Sequence, residues 1–298
     1  MFAEYCAGWT AINDRRRDEM STISKPVNTM SYEAKPLVLD VVRTERQAFY
    51  DLIDDPANWE LQTRCSEWQV RDVAGHMIDV TEGYLARWDV ARSGATAPDA
   101  LGLAAMAALL NEHALAFRSL PREEVIGRLK SGSDRLMAIF DALTEDEWGN
   151  FLVPHPYMGP LPTFFYPAFQ VIDYGVHTWD IRYGLGEKLR KLDERTAGVL
   201  IPYMFVLFQY TVDASSASGV DTVYGLEVTG GWGGRWRVTV KDGQWSAAAE
   251  EGDFEGCEAV FSFDPSDFVL SAYQRFPGGS ARGDESVINR VRSLFFAI

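Results

Sequence analysis

Between Ser31 and about Leu185 the apolar side chains recur every three or four residues, in runs separated only by short turn signals. That spacing gives each run one face to bury, and several such faces joined by short loops favour an antiparallel helical bundle. Leu39, Val42, Phe49 and Ile53 form a first stripe, closed by Asp54, Asp55 and Pro56. Ser66 is placed to cap a second helix whose stripe is Val73, Met77, Val80, Tyr84 and Trp88, ending near Ser93 and Gly94. A third helical stretch runs from about Leu101 to Leu120. Pro121 then opens another through Val125, Leu129, Leu136 and Phe140. The last long element starts near Pro162 or Pro167 and carries Phe169, Ile172, Val176 and Trp179 to a stop at Gly184 and Gly186.

After about Lys188 the periodicity changes. An apolar stretch, Val199 to Phe208, holds Pro202 and reads as a buried helix or its start. Beyond it apolar and polar residues alternate at Leu226 and Val228 and at Trp236, Val238 and Val240, with Asp242-Gly243 as a hairpin turn before Trp245. A strand at Ala259 to Phe263 precedes helical segments at Pro265 to Phe276 and Asp284 to Ile298. The expected fold is therefore a two-domain α+β chain. An antiparallel four-helix bundle over 31–187 is followed by a small α+β domain with an antiparallel sheet over 188–298, and residues 1–30 read as a disordered or extended leader in which Met20 or Met30 could be the true start.

Composition excludes several functions. The net charge of −15 and pI near 4.7 argue against nucleic acid or an anionic membrane surface as a partner. The one basic run, Arg15 to Arg17, is flanked by Asp14 and Asp18. Cys6, Cys65 and Cys257 are odd in number and widely spaced, which suits neither a disulfide framework nor a zinc knuckle. No apolar run reaches the roughly 18 to 20 residues of a membrane span. No secretion signal opens the chain, so the expected location is the cytoplasm.

Among the four histidines, two stand out beside acidic residues in helical stretches. Asp173 and His177 are four residues apart, one turn on the same helix face, and can chelate one ion together. His76, near the apolar stripe of the second helix, offers a third ligand from a facing helix. Two imidazoles and a carboxylate leave open positions on zinc or a similar divalent metal, the pattern of a catalytic site. The plainer alternatives are an exposed helical Asp-His pair and a hydrogen-bonded core histidine. Asp79 and Asp180 each lie three residues past a candidate ligand, where they would orient it or simply face solvent. Cys65 reads as packing, and His113 and His155 are given no role.

Trp68, Val70, Arg71, Asp72, Val73, Ala74, Gly75 and His76, preceded by Cys65, resemble a signature of the mycothiol-dependent maleylpyruvate isomerase family, a branch of the DinB-like metal-binding bundles. Asp173 to Asp180, DYGVHTWD, resembles that family's second signature. More diffusely, residues 221–298 resemble a sterol carrier protein type 2-like domain. The resemblance implies that His76, Asp173 and His177 bind the metal, that mycothiol or a similar small thiol is the cosubstrate, and that the thiolate attacks a small electrophile. Release of the thiol would make an isomerase and its retention an S-transferase. Asp173 stands where the family has Glu, one methylene longer, so its reach to the metal is in question. The family's Gly-Arg near the C-terminus has its nearest match at Gln274-Arg275, with Arg282 as rival. Either would serve an anionic substrate in the catalytic site. Two rivals stand beside this reading: a metal-dependent hydrolase using the same ligands, and an apolar small-molecule binding protein whose bundle is not catalytic. Monomer and homodimer are equally compatible.

Overall fold

The computed structural model describes residues 28–297, and the chain divides into two compact units, one spanning Ser31–Leu192 and the other built mainly from Asp193–Ala297. Met20, Cys6 and the basic run at Arg15 lie outside the described residues.

In the first unit four long helices carry the structure: α1 (Lys35–Ile53), α2 (Val70–Ser93), α4 (Arg122–Ala142) and α6 (Phe165–Gly184), with the shorter α3 (Leu103–Leu115) and α5 (Glu145–Asn150) between them. Helix α1 packs along α6, and α2 along α4 and α3. Phe49, Val73, Met77, Leu129 and Tyr174 meet in one apolar core, which is what the expected stripes require. Helix α2 begins at Gln69 rather than at Ser66. Asp72 Oδ2 accepts from Gln69 N at 2.8 Å, and Asp72 N donates to the Gln69 backbone carbonyl, which fixes the first turn. Ser66 is excluded because the preceding loop closes on itself: Val70 N donates to Leu61 O, and Gln62 Nε2 donates to the carbonyls of Cys65, Ser66 and Trp68. At the other end Gly94 takes the left-handed conformation (φ +69°) that stops the helix, as expected.

A short hairpin, β1 (Leu152–His155) with β2 (Gly159–Pro162), precedes α6. No local pattern announces it, since Pro154, Pro156, Pro160 and Pro162 deplete the donors by which strands are recognised.

In the second unit α7 (Glu194–Thr211) runs on through Pro202. It packs on a five-stranded sheet of order β5-β4-β3-β6-β7, with β3 at Thr222–Val228, β4 at Gly234–Lys241, β5 at Gln244–Ala249, β6 at Ala259–Phe263 and β7 at Ser280–Gly283. Phe205 anchors the contact, its ring 4.6 Å from Trp236 and 5.7 Å from Phe268. The sheet is antiparallel except between β3 and β6. After the β3-β4-β5 meander the chain crosses over to the far side of β3, and β6 enters from the same end as β3 and pairs parallel to it. Helices α8 (Pro265–Ala272) and α9 (Glu285–Arg292) complete the unit. Thr29, assigned to the leader by sequence, is buried here: its Oγ1 donates to Val199 O at 2.9 Å and its carbonyl accepts from Tyr203.

No helix among the described residues is long and apolar enough to cross a membrane.

Candidate metal centre

Helix α2 delivers His76 and helix α6 delivers Asp173 and His177. One ligand atom from each lies within 4.8 Å of the other two. Both histidines are buried, with ring centroids 5.0 Å apart, and Trp68 sits beside both, at 5.1 Å from His76 and 5.8 Å from His177. Trp68 is itself held by a hydrogen bond from Nε1 to Asn111 Oδ1. The shorter side chain of Asp173 does reach the two imidazoles.

His177 Nδ1 lies 3.0 Å from Asp180 Oδ2, and Asp180 is fully buried. Through that contact Asp180 would orient His177 toward a metal, leaving Nε2 as the nitrogen that faces the cluster. Asp79, the expected partner of His76, faces a different histidine: its Oδ2 is 3.3 Å from Nδ1 of His113 on α3. One turn of α2 carries it past His76 onto the side where α3 packs. Gly75 makes that packing close, since a Cβ there would stand 2.7 Å from Ala114 O.

A second group of potential ligands, Cys65, His177 and Asp180, is equally compact. Its members already satisfy one another, for Asp180 Oδ2 accepts from Cys65 Sγ at 3.3 Å and contacts His177. Asp173 differs. The residue as a whole is half-buried, but its Oδ2 is buried and accepts no hydrogen bond among the described residues, and burial pushes the carboxyl up to about 7. A carboxylate so placed beside two imidazoles fits a divalent cation, and His76, Asp173 and His177 are the donor set that fits one. Phe169, four residues before Asp173 and half-buried, leans on Tyr84 and His155, with ring centroids at 6.2 and 5.3 Å.

Residues 42–182, which contain all three candidate ligands, match the family model described as the mycothiol maleylpyruvate isomerase N-terminal domain. Over those residues the helical unit is similar to that domain. A solved structure described as the mycothiol-dependent maleylpyruvate isomerase aligns with 84% of this chain and 94% of its own, at 15% identity and a TM-score of 0.56. A histidine-to-alanine mutant of that enzyme aligns over the same shares with a TM-score of 0.55 and 15% identity. These likenesses extend the shared fold beyond the bundle. No curated protein matches the chain.

Sequence reasoning missed two contacts in the helical unit. Asp72, wholly buried, receives a two-pronged contact from Arg118, Nε to Oδ1 at 2.6 Å and Nη2 to Oδ2 at 2.8 Å. Cys65, read as packing, also donates to Asp180. Neither contact has a local signal, because the partners are 46 and 115 residues apart. Arg275 and Arg282 belong to the second unit. Arg275 Nη1 donates to Tyr273 O at 3.1 Å, behind α8. Arg282 lines a surface pocket of about 430 Å³ with Arg235, Phe254, Cys257 and three acidic residues. That lining mixes charged residues with Phe254, Ala259 and Val260. A catalytic role for either arginine rests on the resemblance alone.

Proposed function

We propose that the chain is a metal-assisted enzyme that uses mycothiol or a similar small thiol to isomerise, or to add that thiol to, a small electrophile. His76, Asp173 and His177 hold the metal in this reading, with zinc as the expected ion. The observation that carries it is the convergence of two buried imidazoles with a carboxylate oxygen that no other group among the described residues satisfies. The match of residues 42–182 to the mycothiol maleylpyruvate isomerase N-terminal domain supports the thiol.

When bound, a divalent metal supplies a Lewis acid that lowers the pKa of a thiol, so that the thiolate persists near neutral pH. The chain's own residues prepare the site. Asp180 fixes the ring of His177, Trp68 restrains both imidazoles and keeps water from one side, and Phe169 offers the substrate an apolar surface. Expelling the thiol after rotation about the attacked bond gives an isomerase, and keeping it gives an S-transferase. The protein is expected to work in the cytoplasm, where such thiols are reduced.

The test uses zinc-loaded and metal-stripped protein with mycothiol and maleylpyruvate, following the loss of substrate. Turnover that needs both metal and thiol is expected. Metal-dependent turnover without thiol would replace this reading with a hydrolase, and no metal binding would remove it altogether.

A further inference from the structure

Arg87 on α2 is half-buried and makes no hydrogen bond or ion pair among the described residues. The acidic residues before it on the helix are engaged elsewhere: Glu82 pairs with Arg128 at 2.8 Å, and Asp79 contacts His113. A half-buried guanidinium without a carboxylate is costly, and the chain has 43 acidic residues against 28 basic ones from which a partner could come. Two more donors stand beside it without acceptors. His155 Nδ1 accepts from the backbone N–H groups of Tyr157 and Met158 at 3.3 and 3.2 Å, which puts the proton of the neutral ring on Nε2. His155 is 7% exposed, yet that Nε2–H donates to nothing among the described residues. The half-buried Tyr157 hydroxyl likewise makes no hydrogen bond there. The rings of Tyr157 and Tyr84 each lie 6.0 Å from that of His155, and Tyr84 is one turn before Arg87 on α2. After burial, the charge of Arg87 is what lowers the pKa of His155, and it opposes the rise that burial and Asp79 impose on the Tyr157 phenol, so the guanidinium is near enough to act on both.

We propose that Arg87, His155 and Tyr157 form a binding site for a small organic monocarboxylate, between α2 and the β1–β2 hairpin. Three unsatisfied donors grouped together require an acceptor from outside the chain. One guanidinium and two neutral donors match a single negative charge, and a planar carboxylate fits the paired N–H groups of arginine. Phe169, half-buried with its ring 5.3 Å from that of His155, offers apolar surface to the rest of the molecule. The site needs neither a metal nor a thiol, so it holds whether or not the thiol-dependent reading does.

The test titrates butyrate into the full-length protein, metal-free and zinc-loaded, by isothermal calorimetry. The Nε2–H proton resonance of His155, assigned by its loss in His155→Gln, is followed in the same samples. Saturable binding to both forms is expected, with a shift of that resonance that chloride does not produce. Arg87→Gln is expected to weaken butyrate binding by about 10- to 100-fold, the loss of one charge-assisted pair, and Tyr157→Phe by about 5-fold. No saturable binding to wild type, binding undiminished in Arg87→Gln, or a His155 resonance that stays in place at saturation would each overturn the proposal. Binding to the zinc-loaded form alone would also overturn it by placing the carboxylate on the metal, and inorganic phosphate bound as tightly as butyrate would overturn the monocarboxylate class. Should a variant fail to fold, the wild-type resonance decides by itself.

Discussion

The imidazole of His177 is fixed by Asp180 three residues further along the same helix, Nδ1 to Oδ2 at 3.0 Å. Because the carboxylate has no exposure, the ring is held in a low-dielectric setting where the contact is strong. Replacement by asparagine keeps the shape and removes the charge that makes the ring a better ligand. Asp180→Asn is expected to weaken zinc binding by about 10- to 100-fold with little change in secondary structure. Competition with a chromophoric chelator measures it, and an unchanged affinity would mean that Asp180 serves only the loop at Cys65.

Arg118 is 41% exposed on its side chain, yet it neutralises Asp72, which is not exposed at all. Removing it strands a carboxylate under the first turn of the helix that carries His76. Arg118→Ala is expected to destabilise the protein by about 2 kcal/mol, the size expected for a charge-assisted hydrogen-bonded pair partly open to water. Urea unfolding reads the difference, and the double variant with Asp72→Asn should recover part of it.

Gly75 lies beside His76 and against α3, where an added Cβ would meet Ala114 O at 2.7 Å and Phe117 Cβ at 3.0 Å. Helix backbone cannot yield there as a flexible side chain would. Gly75→Ala should therefore cost about 1 to 3 kcal/mol, despite alanine's better helix propensity, and shift α3. A gain in Tm would contradict the close packing of α2 on α3.

His155 gives the fold an acid limit. Burial, with a smaller push from Arg87, lowers its pKa to about 4 from an ordinary 6.5. Its Nδ1 accepts from the backbone N–H groups of Tyr157 and Met158, which a protonated ring could not do. The unfolded chain thus binds a proton that the folded one refuses. Stability is complete above about pH 6.5 and declines progressively as the pH falls towards 4, by up to about 3 kcal/mol. The pH slope of unfolding free energy between pH 7 and 4.5 checks this, and His155→Gln should flatten it.

Periodicity makes the helical framework and two of the candidate ligands legible in the sequence. The stripes through Phe49, Met77 and Leu129 place the long helices, and the four-residue step from Asp173 to His177 places two candidate ligands on one face. The step to Asp180 is legible for the same reason. Contacts set by tertiary packing are not: Asp79 turns to His113, and Cys65 reaches Asp180 across 115 residues of chain. The start of α2 departs from expectation because Ser66 has the right chemistry for a cap, but the Leu61–Gln69 loop claims its backbone. The β1–β2 hairpin is hidden by its prolines.

His76, Asp173 and His177 are expected to bind one divalent metal, and on that site the rest of the chemistry depends. Elemental analysis of tag-free protein, wild type beside His177→Ala and both reconstituted with zinc and desalted, tests it most directly. About one zinc per wild-type chain, absent from a variant that keeps its helical circular dichroism, is the expected result. Wild-type protein that holds no zinc after reconstitution, or a folded His177→Ala variant that holds as much as wild type, would contradict it.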